Sequence, residues 1–168
     1  YQMLRILLIL VIIISWSHKL FSQLPSLNWA KSLKGNNIDI ATGIKSDANG
    51  GFYLMGYFYS DTLMLVDTFL INSGGSDIFF IKYNSQGKVV WAKGFGGNEV
   101  DQPTSMAIDS VGNIFLSGYF HSKIISFENF TFYNRKPSFV SSDIFTVKFD
   151  PIGRVVWAKT AGGSGNDR

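Results

Sequence analysis

Apolar residues alternate with polar ones along several short segments, and this pattern predicts β-strands. Ile40–Ser46 and Gly51–Phe58 form one pair of such segments, and Asp77–Tyr83 and Lys88–Gly94 form another. Between the members of each pair lies a stretch in which Asp or Asn is followed by two residues and then Gly: DANG, NSQG and, further along, DSVG and DPIG. The Asx side chain can cap a tight turn, and Gly can take the positive φ that such a turn needs. We therefore predict hairpins, two of which make one four-stranded antiparallel unit.

The predicted sheets have apolar residues on both faces. Phe79, Ile81 and Tyr83 share one face and Ile78, Phe80 and Lys82 the other; the later segment repeats this with Phe145, Val147 and Phe149 against Ile144, Thr146 and Lys148. We expect each sheet to be covered on both sides. Gly56 and Gly118 fall in mid-strand, where close approach of a neighbouring sheet would explain them. The segments TLMLVDTFLIN and ISFENFTFYN predict one or two further short strands.

The sequence repeats itself. WAKSLKGNNID aligns with WAKGFGGNEVD at an offset of 62, and SDIFFIKYNSQGKVVWAKGFGG aligns with SDIFTVKFDPIGRVVWAKTAGG at an offset of 66. The four additional residues fall between Phe120 and Ser142. We divide the chain into a lead-in (23–28), two blade-like repeats (29–90 and 91–156) and the start of a third (157–168). The recurring positions are Trp29, Trp91 and Trp157; Asp39, Asp101 and Asp167; Asp47 and Asp109; Gly56 and Gly118; and Asp77 and Asp143.

A repeated four-stranded sheet with two apolar faces predicts an all-β fold of the β-propeller type. We expect about two four-stranded antiparallel blades and the start of a third, in an incomplete propeller. Trp-Ala-Lys would be an inter-blade packing element, either on the fourth strand of a blade or on the first strand of the next. An open two-blade array, or oligomerisation that closes a ring, is the alternative to a fragment.

The repeat resembles a known family. The segments DSVGNIFLSGYF, GGSDIFFIKYNSQGKVVWAKGFGG and GGSGND are similar to the SBBP-type β-propeller repeat of exported bacterial proteins, many of them from Bacteroidetes. The resemblance covers residues 29–168. It implies a propeller of seven or a similar number of blades and export, often by the type IX secretion route, with further blades of the same chain as partners. The chain departs from this pattern in having about two blades and no sorting domain.

The N-terminal residues have the pattern of a secretory signal peptide. Arg5 precedes the apolar run Ile6–Ile14, which is too short to span a bilayer, since spanning takes about 20 residues. We predict a signal peptide over residues 1–22, cut after Ser22; an uncleaved membrane anchor is the alternative. Loss of Arg5 and Lys19 with this peptide leaves 13 basic and 12 acidic residues, so the charge does not indicate a nucleic-acid partner. After cleavage we expect no membrane span.

Few residues suggest chemistry. Asp39, Asp101 and Asp167 could bind Ca²⁺ as oxygen ligands, but hydrogen bonds that cap turns or tie one blade to the next explain their recurrence better. His121 is predicted to lie in a surface loop. The Gly-rich segments lack phosphate-binding spacing, and no cofactor is indicated. Tyr57, Phe58, Tyr119, Phe120 and the repeat tryptophans could stack on a sugar, although their strand positions favour a core role.

These features predict a non-catalytic exported module that binds or scaffolds at the cell surface or outside the cell. Its partner would be a protein or a glycan. The alternative is the propeller portion of a larger secreted hydrolase or protease whose active site lies in other parts of that protein.

Overall fold

The computed structural model describes residues 29–134 and 141–168, and these residues form β-strands and turns without any helix. The chain divides into two units, Tyr1–Ala30 and Lys31–Arg168. In the first unit only Trp29 and Ala30 are described; both are exposed and lie outside strands. The predicted signal peptide and lead-in lie outside the described residues.

Two four-stranded antiparallel sheets account for most of the second unit. Blade 1 has the order β1 (Asp39–Ser46), β2 (Phe52–Phe58), β5 (Asp77–Tyr83), β6 (Val89–Phe95). Blade 2 has the order β7 (Asp101–Ile108), β8 (Ile114–Phe120), β11 (Asp143–Phe149), β12 (Val155–Ala161). Each blade also carries a short hairpin, β3 (Thr62–Met64) with β4 (Phe69–Ile71) in blade 1, and β9 (Ile124–Phe127) with β10 (Phe130–Tyr133) in blade 2. The predicted all-β fold, strand pairs and additional short strands are confirmed.

The hairpin turns follow the predicted chemistry. Asp47 Oδ1 accepts hydrogen bonds of 2.8 Å from the backbone N–H groups of Asn49 and Gly51, and Gly50 has a φ of +76°. The same arrangement recurs in the other three turns, built on Asn84 with Gly87, Asp109 with Gly112, and Asp150 with Gly153. Asx capping and a left-handed glycine therefore set all four turns.

The two blades repeat each other in small details. Both first strands have a bulge at the same repeat position, after Ala41 and after Pro103. Asn72 donates its side-chain amide to the Phe58 carbonyl, and Asn134 does the same to that of Phe120, so the offset of 62 still holds at Asn134. The four additional residues of blade 2 therefore lie between Asn134 and Ser142.

The repeated Trp-Ala-Lys motif lies on the fourth strand of each blade. Trp91 is in β6 and Trp157 is in β12. Of the two placements predicted for this motif, the structure shows the fourth strand.

The mid-strand glycines are explained differently from the prediction. A Cβ atom at Gly56 would lie 2.5 Å from the ring of Phe79 and in contact with the carbonyl oxygen of Ile40. Gly118 has the same relation to Phe145 and Gln102. All these groups belong to the same sheet as the glycine, and each Phe is its cross-strand partner. The prediction of a neighbouring sheet was wrong: the ring of the paired Phe covers the glycine.

Two faces of each blade need names. Face 1 carries Phe79, Ile81 and Tyr83 in blade 1 and Phe145, Val147 and Phe149 in blade 2. Face 2 carries Ile78, Phe80 and Lys82 in blade 1 and Ile144, Thr146 and Lys148 in blade 2. Every residue of β5 is buried, as predicted for a sheet covered on both sides, whereas in β11 only face 1 is fully buried.

Candidate functional site: the joint between the blades

Face 2 of blade 1 packs against face 1 of blade 2, and we call this contact the joint. Its centre is aromatic: the ring centroids of Phe80 and Phe149 are 5.2 Å apart, and those of Phe95 and Phe149 are 5.9 Å apart. Phe95 also contacts Phe127 of the β9–β10 hairpin at 5.1 Å. These residues belong to one buried cluster that spans both blades. Aromatic pairs of this geometry add to the stabilisation that burial provides.

Trp91 connects the joint to a turn of blade 2. Its indole lies edge-on to Phe80 at 5.1 Å and tilted against Tyr53 at 5.9 Å. A Cβ atom at Gly153 would lie 2.6 Å from the indole, so the β11–β12 turn of blade 2 rests on this ring. Gly153 also has a φ of +88°, and both facts require glycine at this position.

Lys82 is a charged residue buried at the joint. Its ammonium group pairs with Asp47 and lies 3.8 Å from the centroid of the Tyr53 ring. The hydrogen bond from Lys82 lowers the pKa of the Asp47 carboxyl, which burial alone would raise. The ion pair and the ring together compensate for the loss of water around the lysine.

Two of the three recurring aspartates that were candidate metal ligands, Asp39 and Asp101, form clasps with serine. Asp101 accepts hydrogen bonds from Ser122 Oγ (2.6 Å), the Ser122 N–H (3.2 Å) and the Gly97 N–H (2.8 Å). Asp39 is bound in the same way by Ser60 Oγ at 2.8 Å. Asp167 accepts from the Gly163 N–H at 2.9 Å.

The same aspartates mark where one blade is tied to the next. The Asp101 N–H donates to the Ser76 carbonyl of blade 1 at 2.8 Å, and the Asp167 N–H donates to the Ser142 carbonyl of blade 2 at 2.9 Å. The start of the third repeat is therefore tethered to blade 2 as blade 2 is tethered to blade 1. In the described parts of the chain no three acidic or histidine side chains come together in a way that could hold a metal ion.

Asp77 and Asp143 are buried at the starts of β5 and β11. Asp77 Oδ2 accepts from the Ser73 N–H at 2.9 Å, and burial raises the pKa of its carboxyl. Burial also raises the pKa of Asp101, to about 7, and the nearby charge of Asp77 adds to this shift. The sequence indicated that these positions recur but gave no sign that two of them meet in the joint.

The β9–β10 hairpin forms a strap across the joint. Glu128 at its turn accepts a 2.6 Å ion-pair hydrogen bond from Lys93 of blade 1 and a 3.0 Å hydrogen bond from the Val155 N–H of blade 2. Burial alone would raise the pKa of Glu128, but these two donors outweigh it and lower the pKa. The equivalent residue in blade 1 is Val66, which has no charge to offer.

Blade 1 and blade 2 each expose an apolar residue whose equivalent is buried in the joint. On face 1, Ile44 of blade 1 is 62% exposed, whereas the equivalent Met106 of blade 2 is 6% exposed because blade 1 covers it. On face 2, Ile144 of blade 2 is 38% exposed, whereas the equivalent Ile78 is fully buried in the joint. The rest of face 1 in blade 1 is covered: Phe79, Ile81 and Tyr83 are buried in one cluster with Leu63 and Leu70 of the β3–β4 hairpin.

The β3–β4 hairpin also exposes an apolar surface. Met64, Val66, Phe69 and Ile71 point outward and are exposed, whereas the equivalent positions of β9–β10 carry the side chains of Ser126, Glu128, Thr131 and Tyr133. Two open cavities of about 370 and 380 Å³ adjoin this surface, and Lys34 and Met64 line both. We call these four outward residues the rim patch.

His121 differs from its prediction. It was expected in a surface loop, but it is 4% exposed, and its Nδ1 lies 2.9 Å from the Ser141 carbonyl. Its ring is edge-on to Tyr119 at 5.7 Å. These contacts, and the hydrogen bond from the His121 N–H to the Val100 carbonyl, join segments that are distant in sequence, which a single sequence position does not reveal.

The aromatics proposed for sugar stacking are divided between core and surface. Phe58 and Phe120 are fully buried, while Tyr57 and Tyr119 are half-buried. Tyr119 donates its hydroxyl to Gln102 Oε1 at 2.6 Å, and the guanidinium of Arg168 lies 4.7 Å from its ring centroid. Trp91 and Trp157 are half-buried as well.

Comparison with known proteins agrees with this architecture. Residues 90–119 match the SBBP family model, described as a beta-propeller repeat, and this stretch runs from β6 across the joint into β8. Over 95 residues the chain is 35% identical to an uncharacterized WD repeat-containing protein of Acanthamoeba polyphaga mimivirus. That alignment covers 53% of this chain and 7% of the relative, so the chain spans a small part of the relative's length.

The fold and the matched repeat define the class: an all-β chain of β-propeller-type blades, an architecture that suggests a binding or scaffold module. Within residues 29–134 and 141–168 there is no apolar helix of membrane-spanning length.

Proposed function

We propose that this chain is a non-catalytic, exported propeller segment that works as a scaffold by receiving further blades. One observation carries the proposal: the joint is built from repeated positions, and two apolar equivalents of its buried residues are exposed, Ile44 on blade 1 and Ile144 on blade 2. Apolar surface of this kind is stabilised when it is covered. The recurrence of the aspartate–serine clasps supports a structural role for the polar residues as well.

The two open faces can be tested through association of the full chain. Because each copy exposes apolar residues at joint positions on both blades, light scattering should show association that increases with protein concentration. Ile144→Lys on the open face should weaken this association. Val111→Lys, in an exposed turn away from both faces, is the matched control and should leave it unchanged. A chain that stays monomeric at all concentrations would contradict the proposal.

Export is part of the proposal and rests on the sequence pattern before Gln23. Fusing residues 1–28 to a periplasmic reporter in a bacterial host tests it. The exported reporter should begin at Gln23, and replacing two leucines of the apolar run by lysine should abolish export. Retention of the uncut fusion in the membrane would support the anchor instead.

The rim patch favours a protein as the partner. Its four apolar residues lie where blade 2 has mostly polar ones, and they adjoin cavities bordered by Lys34. A glycan would instead use the half-buried Tyr57 and Tyr119. A glycan array probed with the full chain separates the two: binding that is lost on Tyr119→Ala would favour the glycan.

A further inference from the structure

Two buried carboxyl groups lie on adjacent segments, at the point where the backbone of blade 2 is tied to that of blade 1. Asp77 begins β5 of blade 1 and is 2% exposed, and Asp101 begins β7 of blade 2 and is fully buried. The segments that carry them are held together by backbone hydrogen bonds, from the Asp101 N–H to the Ser76 carbonyl (2.8 Å) and from the Ser76 N–H to the Glu99 carbonyl (3.2 Å).

No positive side chain neutralises these two groups in the described part of the chain. The ion pairs there involve Asp47, Glu128 and Asp150. The partners of Asp101 are the hydroxyl and N–H of Ser122 and the N–H of Gly97. The Oδ1 atom of Asp77 contacts Gly96 and has no hydrogen-bond partner among the described residues.

The other titratable groups nearby are mostly acidic. Asp101 and Asp143 both pair with Phe120, on opposite sides of β8, and Glu99 precedes Asp101 by two residues. His121 donates its backbone N–H to the Val100 carbonyl, and its ring contacts the Ser141 carbonyl and the ring of Tyr119. Two ionised carboxylates buried together without a cation are strongly unfavourable, whereas one retained proton removes most of that penalty.

We propose that Asp77 and Asp101 hold a proton in the joint at acidic pH, and that loss of this proton loosens the contact between the blades. The joint is then a pH-sensitive element, tight in acid and weaker from neutral pH upward. Because Oδ1 of Asp77 has no hydrogen-bond donor among the described residues, a negative charge on this carboxyl is not compensated there. The pKa shifts agree in direction, since burial raises the pKa of both groups.

The pH range follows from the pKa of Asp101, which is 3.8 when unperturbed and about 7 in the folded protein. Because the pKa of Asp101 is raised in the folded state, its contribution to stability is fully present below about pH 4. This contribution is lost as the pH rises to 7 and is constant above it. Asp47 and Glu128 have lowered pKa values, so their effect on stability has the opposite sign. Their contribution is present above the ordinary pKa of a carboxyl group and is lost only as the pH falls below it.

Denaturant unfolding of the full chain at pH values from 5 to 8 tests the proposal. The unfolding constant should rise about tenfold per pH unit between pH 5 and 7 and then level off. Asp101→Asn should remove this slope. Asp67→Asn, an exposed acid at the β3–β4 turn, is the matched control and should keep it. A flat wild-type profile, or an unchanged slope in Asp101→Asn, would overturn the proposal.

A second measurement covers the case in which Asp101→Asn does not fold. A carboxyl ¹³C NMR titration of the wild-type chain should give a midpoint near pH 7 for Asp101, and Asp77→Asn should lower it. A midpoint near pH 4 would show that the pair holds no proton at neutral pH and would also overturn the proposal.

Discussion

At the residue scale, Trp91 and Trp157 occupy the same repeat position in different surroundings. Trp91 contacts Phe80 and Tyr53 and is covered by the Gly153 turn, whereas Trp157 contacts Phe115 at 6.1 Å on the open face. We predict that Trp91→Ala lowers the free energy of unfolding by about 3 kcal/mol, the lower end of the range for losing a packed tryptophan. Chemical denaturation measures this loss.

Trp157→Ala is the control that the repeat itself supplies. Since no second blade lies on Trp157, its removal should lower the free energy of unfolding by about 1 kcal/mol. Equal losses for the two variants would mean that the indole of Trp91 gains nothing from the joint. An unchanged melting temperature in Trp91→Ala, with loss of a binding activity, would assign the ring to a ligand instead.

At the element scale, the β9–β10 hairpin joins the blades while the equivalent β3–β4 hairpin does not. The difference lies at the turn, where Glu128 binds Lys93 and the Val155 N–H and where blade 1 has Val66. We predict that Glu128→Gln lowers the free energy of unfolding by about 0.5–1 kcal/mol, as expected for a partly exposed ion pair. Because salt screens such pairs, the difference from wild type should shrink between 0.05 and about 1 M salt, as measured by urea unfolding.

Glu99→Gln is the matched control for the strap. It makes the same chemical change, but Glu99 Oε1 accepts only a 3.4 Å hydrogen bond from its neighbour Asn98 and reaches no other blade. Its stability should stay close to that of the wild type at both salt concentrations. A salt-independent loss in Glu128→Gln would mean that the hydrogen bond to Val155, and not the charge of Lys93, holds the hairpin.

At the scale of the whole molecule, the sequence predicted what is local or periodic and missed what is neither. The Asx–Gly turns were predictable because their hydrogen bonds close within four residues, and the strands were predictable because their apolar residues alternate. The burial of His121 depends on contacts with Val100 and Ser141, which are distant from it in sequence. The indole of Trp91 beneath Gly153 and the placing of Asp77 near Asp101 depend on how two blades meet. Equivalent residues such as Phe80 and Thr146 differ in burial for the same reason.

The joint itself can be tested by exchanging these two equivalent residues. Phe80→Thr gives the joint the residue found on the open face, and because it removes the ring that contacts Phe149 at 5.2 Å, the free energy of unfolding should fall by about 3–5 kcal/mol. Thr146→Phe makes the reverse change on the open face, where stability should move by less than about 0.5 kcal/mol. It should strengthen association of copies, because it restores an apolar half-joint. Calorimetry and light scattering measure the two effects. Similar stability losses in both variants would show that the position tolerates only its native residue, whatever covers it.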